Sequence, residues 1–176
     1  MRNRNHELLE ILVGLIGDLT ISVSIIREYE DKSYMHKPEL IASRQSIWRL
    51  CFNSIVLNCC KYVELNRKYS REFNEMTPEL NKIRGQYNKL ITSNKSLLIL
   101  RDDYVAHVNS LKTKKCLTPD EVQNHIINMI GGGTNAAAFL DWICPEDYES
   151  SNPNESLVGV VTQLRDQLVS KLKQTL

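Results

Sequence analysis

Four ionisable side chains, Arg101, Asp102, Asp103 and His107, lie within one short and otherwise apolar stretch of the sequence. In a regular α-helix, Asp103 and His107 share a face one turn apart, whereas Arg101 and His107 lie about 120° apart and about 9 Å along the axis. A guanidinium can hold a phosphate and its developing charge, and an imidazole can move a proton. Such a set could cleave a phosphodiester. On a single helix, however, Arg101 and His107 can border a cleft but cannot reach one common point.

Two other kinds of chemistry are not supported by the sequence. The histidines His6, His36, His107 and His125 form no paired H-x-x-x-H or H-x-x-E arrangement, which argues against a metal enzyme. The glycines at positions 131 to 133 lack the G-x-x-x-x-G-K spacing of a phosphate loop, so they predict a helix end and a connector. No metal or other cofactor is expected.

The order of the ionisable residues resembles the R-x(4 to 6)-H motif of HEPN-domain proteins. Here the motif reads RDDYVAH, from Arg101 to His107, with Asp102 in the polar position after the arginine. This motif sequence is most similar to the abortive-infection, AbiU-like branch of the superfamily. The resemblance covers about residues 5 to 130. It implies a metal-independent endoribonuclease, acting as a toxin or phage-defence protein, with Arg101 and His107 as catalytic residues and Asp102 and Asp103 in support.

The resemblance also implies partners. HEPN nucleases build their cleft from two motif helices across a two-fold axis, so a homodimer that binds RNA is expected. An antitoxin or another defence-system protein is a further candidate partner. Asn109 occupies the position where HEPN toxins regulated by tyrosine modification carry a tyrosine, so that regulation is not expected.

The two aspartates support a different interpretation of the same motif. Asp102 and Asp103 put negative charge where a phosphate should bind, and Asp103 facing His107 would favour the charged imidazole, which suits a general acid better than a base. The alternative is therefore a non-catalytic HEPN-like interaction module in which the Arg, Asp and His cluster is structural.

The composition predicts one soluble domain. The 176 residues carry a net charge of +1, so any RNA contact must be local or built with a second copy of the chain. The five cysteines are odd in number and form no CxxC pair, which favours reduced thiols in the cytoplasm. Glu7, Glu10 and Asp18 interrupt the apolar N-terminus, and its longest uncharged run, Leu19 to Ile26, is too short to span a membrane, so no membrane association is expected.

The apolar residues follow the helical period throughout, which predicts an all-α, HEPN-like helical bundle. We expect a single all-helical domain over residues 1 to 176, with a HEPN-like core at about 5 to 130 and a C-terminal helical extension at about 134 to 176. Capping residues, prolines and glycines predict these helices: His6 to Tyr29, Pro38 to Phe73 with a bend or break, Pro78 to Ile91 with Thr77 as its cap, Lys95 to Lys112, Thr118 to Ile130, Asn135 to Ile143 and Ser156 to Leu176.

The pattern also predicts which side chains are buried. The first helix carries one stripe of Leu8, Leu12, Leu15, Leu19 and Ile26 and a second of Leu9, Val13, Ile16 and Val23, so it should be covered on more than one side, by the bundle or by a second subunit. In the second helix the large side chains of Trp48 and Phe52 should pack in the core. Its inner basic candidates are Arg44, Arg49 and Lys61. The buried side of this helix should consist of Leu40, Ile47, Leu50, Ile55, Leu57 and Val63.

Overall fold

A computed structural model describes residues 4–106, 115–132 and 135–174 of the chain. Over these ranges the regular structure is helical and no strand occurs, which confirms the all-α class. The helices are α1 (Arg4–Asp31), α2 (Ile41–Lys68), α3 (Ser70–Met76), α4 (Asn81–Ser93), α5 (Lys95–Leu100), α6 (Pro119–Met129), α7 (Ala136–Ile143) and α8 (Leu157–Gln174). Short 3-10 turns occur at Ser33–His36, Pro38–Leu40, Pro78–Leu80 and Pro153–Glu155.

The core forms where α1 packs between α2 and α8. The first predicted stripe of α1 is confirmed, since its members are all buried. Ser22 of α1 donates to the Ser54 hydroxyl of α2 at 2.8 Å, and Arg4 donates to the Lys68 carbonyl at 2.9 Å, so the two helices run antiparallel. Helix α8, part of the predicted C-terminal extension, packs against α1, α3 and α4 with its apolar stripe buried: Leu157, Val160, Val161, Leu164 and Leu168.

Local signals set most helix ends. The Thr118 hydroxyl accepts from the Glu121 N–H at 3.3 Å, and a Glu121 carboxylate oxygen accepts from the Thr118 N–H at 2.7 Å, which is a reciprocal capping box at the start of α6. Gly131 and Gly132 follow that helix with φ values of 79° and 107°, a region that favours glycine. Both ends of α6 therefore confirm the prediction.

The break expected within the long second helix occurs at Tyr69, whose φ of −115° separates α2 from α3. The start of the next helix was predicted wrongly in detail. Thr77 was expected to cap the next helix, but its hydroxyl donates back to the Phe73 carbonyl at 2.9 Å. That helix consequently begins as a 3-10 turn at Pro78, with no side-chain cap.

Three leucine and valine side chains predicted to be covered are exposed. Leu50 and Leu57 of α2 are 67% and 45% exposed, and Val13 of α1 is 52% exposed. The second stripe of α1 is therefore only partly buried within one chain. No other described element covers Leu50, Leu57 or Val13.

Helix α1 is long and apolar enough to cross a membrane, because it contains an 18-residue apolar window with no more than two charged residues. The prediction that the N-terminal apolar segment is too short to span a membrane was wrong, because it counted only the longest run without a charged residue. A core helix of a soluble protein meets the same requirement, and the stripe from Leu8 to Ile26 is buried against other helices. The fold gives no clear sign of a membrane protein.

Candidate functional site around Arg101

The motif segment begins as α5 and then changes its helical form. The Asn94 side chain accepts from the Leu97 N–H at 3.1 Å and caps the helix, while Leu97 and Leu100 anchor it in the core. From Arg101–Val105 the backbone forms a π turn, in which the Ala106 N–H donates to the Arg101 carbonyl at 2.9 Å. A π turn holds one residue more than an α turn and is frequent at functional sites.

The regular α-helix predicted from Lys95 to Lys112 is thus wrong between residues 101 and 105. The angular positions expected at 100° per residue do not carry across a π turn, so the expected alignment of Asp103 with His107 loses its basis. His107, Asn109 and the predicted helix end at Lys112 lie outside the described residues. The structure describes Arg101, Asp102 and Asp103, and it tests neither their distance to His107 nor the role of that histidine.

Arg101 makes two ion pairs. Its guanidinium donates to a Glu64 carboxylate oxygen at 2.8 Å and to an Asp102 carboxylate oxygen at 2.7 Å. The hydrogen bond to Asp102 raises the pKa of Arg101, and Glu64 adds to this effect by charge. Because the Arg101 side chain is 39% exposed, both contacts lie at the surface, where they fix its orientation more than they stabilise the fold.

Arg101 stands between two surface cavities. The larger, of about 680 Å³, runs along α2 and is lined by Leu50, Leu57, Lys61 and Glu64. The smaller, of about 220 Å³, includes Cys60, Arg67 and Leu98. The guanidinium is therefore accessible from both sides of its contact with Glu64, and the exposed leucines of α2 belong to the same cleft.

Cys60 is the nearest sulfur to this site, and it is not a nucleophile. Burial raises the pKa of its thiol to about 11, although the positive charge of Arg101 acts in the opposite direction. The thiol is therefore protonated at neutral pH, and a reactive cysteine requires the thiolate.

No set of three or more His, Cys, Asp or Glu side chains able to hold a metal ion occurs in the parts of the chain that the structure describes. His36 accepts from Arg44 at 2.9 Å, and His125 lies 3.4 Å from the Ser96 hydroxyl. His36 and His125 are thus engaged with protein side chains and line no cavity with Arg101.

No model of a protein family matches this sequence, and no curated protein does. Among solved structures, the chain is similar to the integron cassette protein Vpc_cass2 from the mobile metagenome of V. paracholerae. The two share 48% sequence identity over 96% of this chain and 98% of that chain, with a TM-score of 0.83. This chain belongs to the same family as that integron cassette protein.

The match to the cassette protein extends over nearly the whole of both chains, so the C-terminal helices belong to the shared fold together with the motif segment. It establishes a fold and a family, and no activity comes with it.

Sequence reasoning missed the partner of Arg101 in this cassette-protein fold. Glu64 lies 37 positions before Arg101, and nothing in the local sequence pattern marks it as the partner of that arginine. A second arginine, Arg84, was missed altogether. Its guanidinium is buried over the Phe73 ring and donates to the side-chain oxygens of Asn74 and Asn81 at 2.8 and 2.9 Å, and burial lowers its pKa. Arg84 serves packing, whereas Arg101 is available to a ligand.

Proposed function

We propose that this cassette-family protein is a HEPN-like, metal-independent endoribonuclease of the abortive-infection type, working in the cytoplasm as a homodimer with Arg101 and His107 as its catalytic pair. The observation that carries the proposal is the position of Arg101, which is held by two carboxylates on a π turn at the edge of an open cleft. A guanidinium fixed in this way is pre-oriented to receive a phosphate.

The exposed apolar residues in the cleft support a homodimer. Leu50 and Leu57 line the same cleft as Arg101, and large exposed side chains grouped in this way are typical of interaction surfaces. In a two-fold contact the same surface faces itself, so two copies of Arg101 would approach each other. Lys61 and Arg67 would add positive charge to this shared cleft, beside the acids Asp18 and Glu64 of the same lining.

The proposed reaction follows from the chemistry of RNA. The ribose 2′ oxygen attacks the adjacent phosphorus while the bond from phosphorus to the 5′ oxygen breaks. His107 moves the proton, either from the 2′ hydroxyl or to the leaving oxygen. Arg101 holds the phosphate and stabilises the charge that develops on it, and Asp102 and Glu64 keep the guanidinium in place.

A second candidate function is supported by the same two ion pairs. Arg101 joins the π turn to α2 through Glu64, and its charge is already balanced by Glu64 and Asp102. In this alternative the chain is a non-catalytic HEPN-like interaction module that binds a partner protein, such as an antitoxin or another defence component. Removal of Arg101 would then lower stability and leave no activity to lose.

An RNA-cleavage assay distinguishes these functions. We expect the wild type to cut RNA equally well with and without a chelator, and Arg101→Ala and His107→Ala each to abolish cleavage while circular dichroism stays unchanged. Arg71→Ala is the matched control, because Arg71 is also a surface arginine paired with a glutamate, at 2.8 Å, but lies on α3. Cleavage that survives His107→Ala would contradict the catalytic assignment. An inactive wild type whose melting temperature falls on Arg101→Ala would support the interaction module.

The dimer has its own test by light scattering at micromolar concentration. Leu57→Glu should give a monomer and reduce cleavage with it. Leu90→Glu changes a leucine of similar exposure, 52%, on α4 and should leave the dimer intact. A wild-type monomer would exclude the shared cleft.

A further inference from the structure

The N-terminal part of α2 and the facing side of α6 are separated by a cavity. Helix α6 packs mainly on α5, so a space of about 670 Å³ remains between it and α2. We call this space the apolar chamber; its lining includes Trp48, Phe52, Tyr104, Val122, Ile126 and Ile130. Both its volume and its apolar lining are typical of small-molecule sites, which occupy roughly 300 to 1,000 Å³.

A polar cavity adjoins the apolar chamber. It has a volume of about 480 Å³, includes Glu30, His36 and Arg44, and shares Gln45, Trp48 and Gln123 with the chamber. We call it the polar antechamber. The two cavities together form a space with an apolar end and a polar end, divided by Trp48.

The two cavities together carry a surplus of positive charge, since Arg44 and Glu30 line the antechamber and Arg49 lines the chamber. Arg44 donates to Nδ1 of His36 at 2.9 Å, and Nε2 of His36 lies 2.9 Å from the Glu30 carbonyl. A ring nitrogen that accepts from arginine carries no proton, so the ring donates through Nε2 and is neutral. Neither Arg44 nor Arg49, which lines the chamber, has an ion-pair partner in the described part of the chain, and Glu30 is the only acid among the described lining residues of either cavity.

The side chain between the two cavities has an unsatisfied donor. Trp48 Nε1 is closed to solvent and has no hydrogen-bond acceptor among the described residues. Buried indole N–H groups normally find a partner. Because that donor is closed to solvent, it faces neither open cavity, and Arg44 and Arg49 are the charged donors that a ligand would meet beside the apolar space.

We propose that the apolar chamber and the polar antechamber form one binding site for a medium-chain fatty acid, with its hydrocarbon chain in the chamber and its carboxylate between Arg44 and Arg49. A single negative charge matches the surplus of two arginines over Glu30. The amides of Gln45 and Gln123, which line both cavities, are the remaining donors near the carboxylate. The site contains neither Arg101 nor its carboxylate partners, so it does not rest on the proposed ribonuclease function.

Calorimetry on the full chain with decanoate, below its micelle concentration, tests this proposal. We expect saturable binding of one decanoate per chain and binding of decanol that is weaker by roughly tenfold or more, because the alcohol lacks the charge. Arg44→Gln and Arg49→Gln should each weaken decanoate binding by roughly tenfold and leave decanol binding unchanged. Arg71→Gln, remote from both cavities, should bind decanoate like the wild type.

Two variants test the position of the hydrocarbon chain. Ile126→Trp on α6 and Ala136→Trp on α7 each place a large side chain in the apolar chamber, and either one should remove binding of both ligands if circular dichroism shows a folded protein. The proposal is overturned if wild type shows no saturable binding. It is equally overturned if the arginine variants bind decanoate as tightly as wild type, or if decanoate still binds to a folded chamber-filling variant.

Discussion

The two halves of α2 lie in different surroundings although they form one continuous helix. From Cys51 to Leu65 the helix contributes nine buried residues to the core, against α1 and α4. From Ile41 to Leu50 no residue is fully buried, and this half forms walls of the open cavities. Elements that bind ligands are drawn from the less stable parts of proteins. The comparison separates a half that packs into the core from a half in which every side chain is at least partly exposed.

The largest expected effect comes from one substitution made in both halves. Ile55→Ala removes a side chain that is fully buried, and it should lower the free energy of unfolding by about 3 kcal/mol because a cavity is left behind. Ile47→Ala changes the same residue type two turns earlier, where the side chain is only partly buried, and should cost about 1 kcal/mol or less. Urea denaturation measures both values. Equal losses would show that the open half contributes to stability as much as the packed half does.

A smaller effect tests how much room for an added methyl group or methylene is left beside α8, on α4 and in the apolar chamber. A Cβ at Gly159 of α8 would lie 2.8 Å from the Pro153 Cα, so Gly159→Ala should destabilise the protein by about 1 to 3 kcal/mol. Gly85→Ala, on α4 with no atom within 4 Å, is the backbone control and should stabilise by about 0.5 to 1 kcal/mol. In the open region Val122→Ile adds one methylene to the apolar chamber and should change stability by less than about 0.5 kcal/mol. A large loss on Val122→Ile would contradict the open chamber.

The smallest effect concerns the charged rim of the packed region. Arg4 bonds the Glu72 carboxylate and lowers its pKa below the ordinary 4.5, tying the start of α1 to α3. A carboxylate with a lowered folded pKa stabilises the protein fully above its unfolded pKa, and this contribution is lost as the pH falls through the folded value. Unfolding measured from pH 6 to pH 3 should therefore show less acid sensitivity in Glu72→Gln than in wild type. Glu75→Gln, whose arginine partner is one turn away on the same helix, should keep the wild-type profile.

Local signals explain what could be predicted from the sequence. The stripe from Leu8 to Ile26, the Thr118 cap and the glycines after α6 depend on residues within one or two turns, so the pattern alone determines them. The prediction for Thr77 was wrong because a threonine hydroxyl can satisfy either the helix that follows or the turn that precedes it, and here it bonds the Phe73 carbonyl.

The candidate site depends on contacts between distant segments, so less of it could be predicted from the sequence. Arg101 was identified from its type and spacing, but its orientation depends on Glu64, and the π turn adds one residue to a backbone that the pattern reads as regular. Leu50 and Leu57 fit a buried stripe by type, and only the tertiary arrangement shows that no described helix covers them. The gap between α2 and α6 likewise arises because α6 packs on α5.

The contact between α1 and α8 affects how the protein is made. Residues 32–156 separate the two helices, so a ribosome that adds about 5 to 20 residues per second reaches α8 roughly 6 to 25 s after α1 has been made. During that interval the leucine stripe of α1 has only part of its final cover, and the emerging helix has the length and composition of a membrane segment. During translation between α1 and α8, the incompletely covered stripe of α1 is therefore a surface at which aggregation can begin.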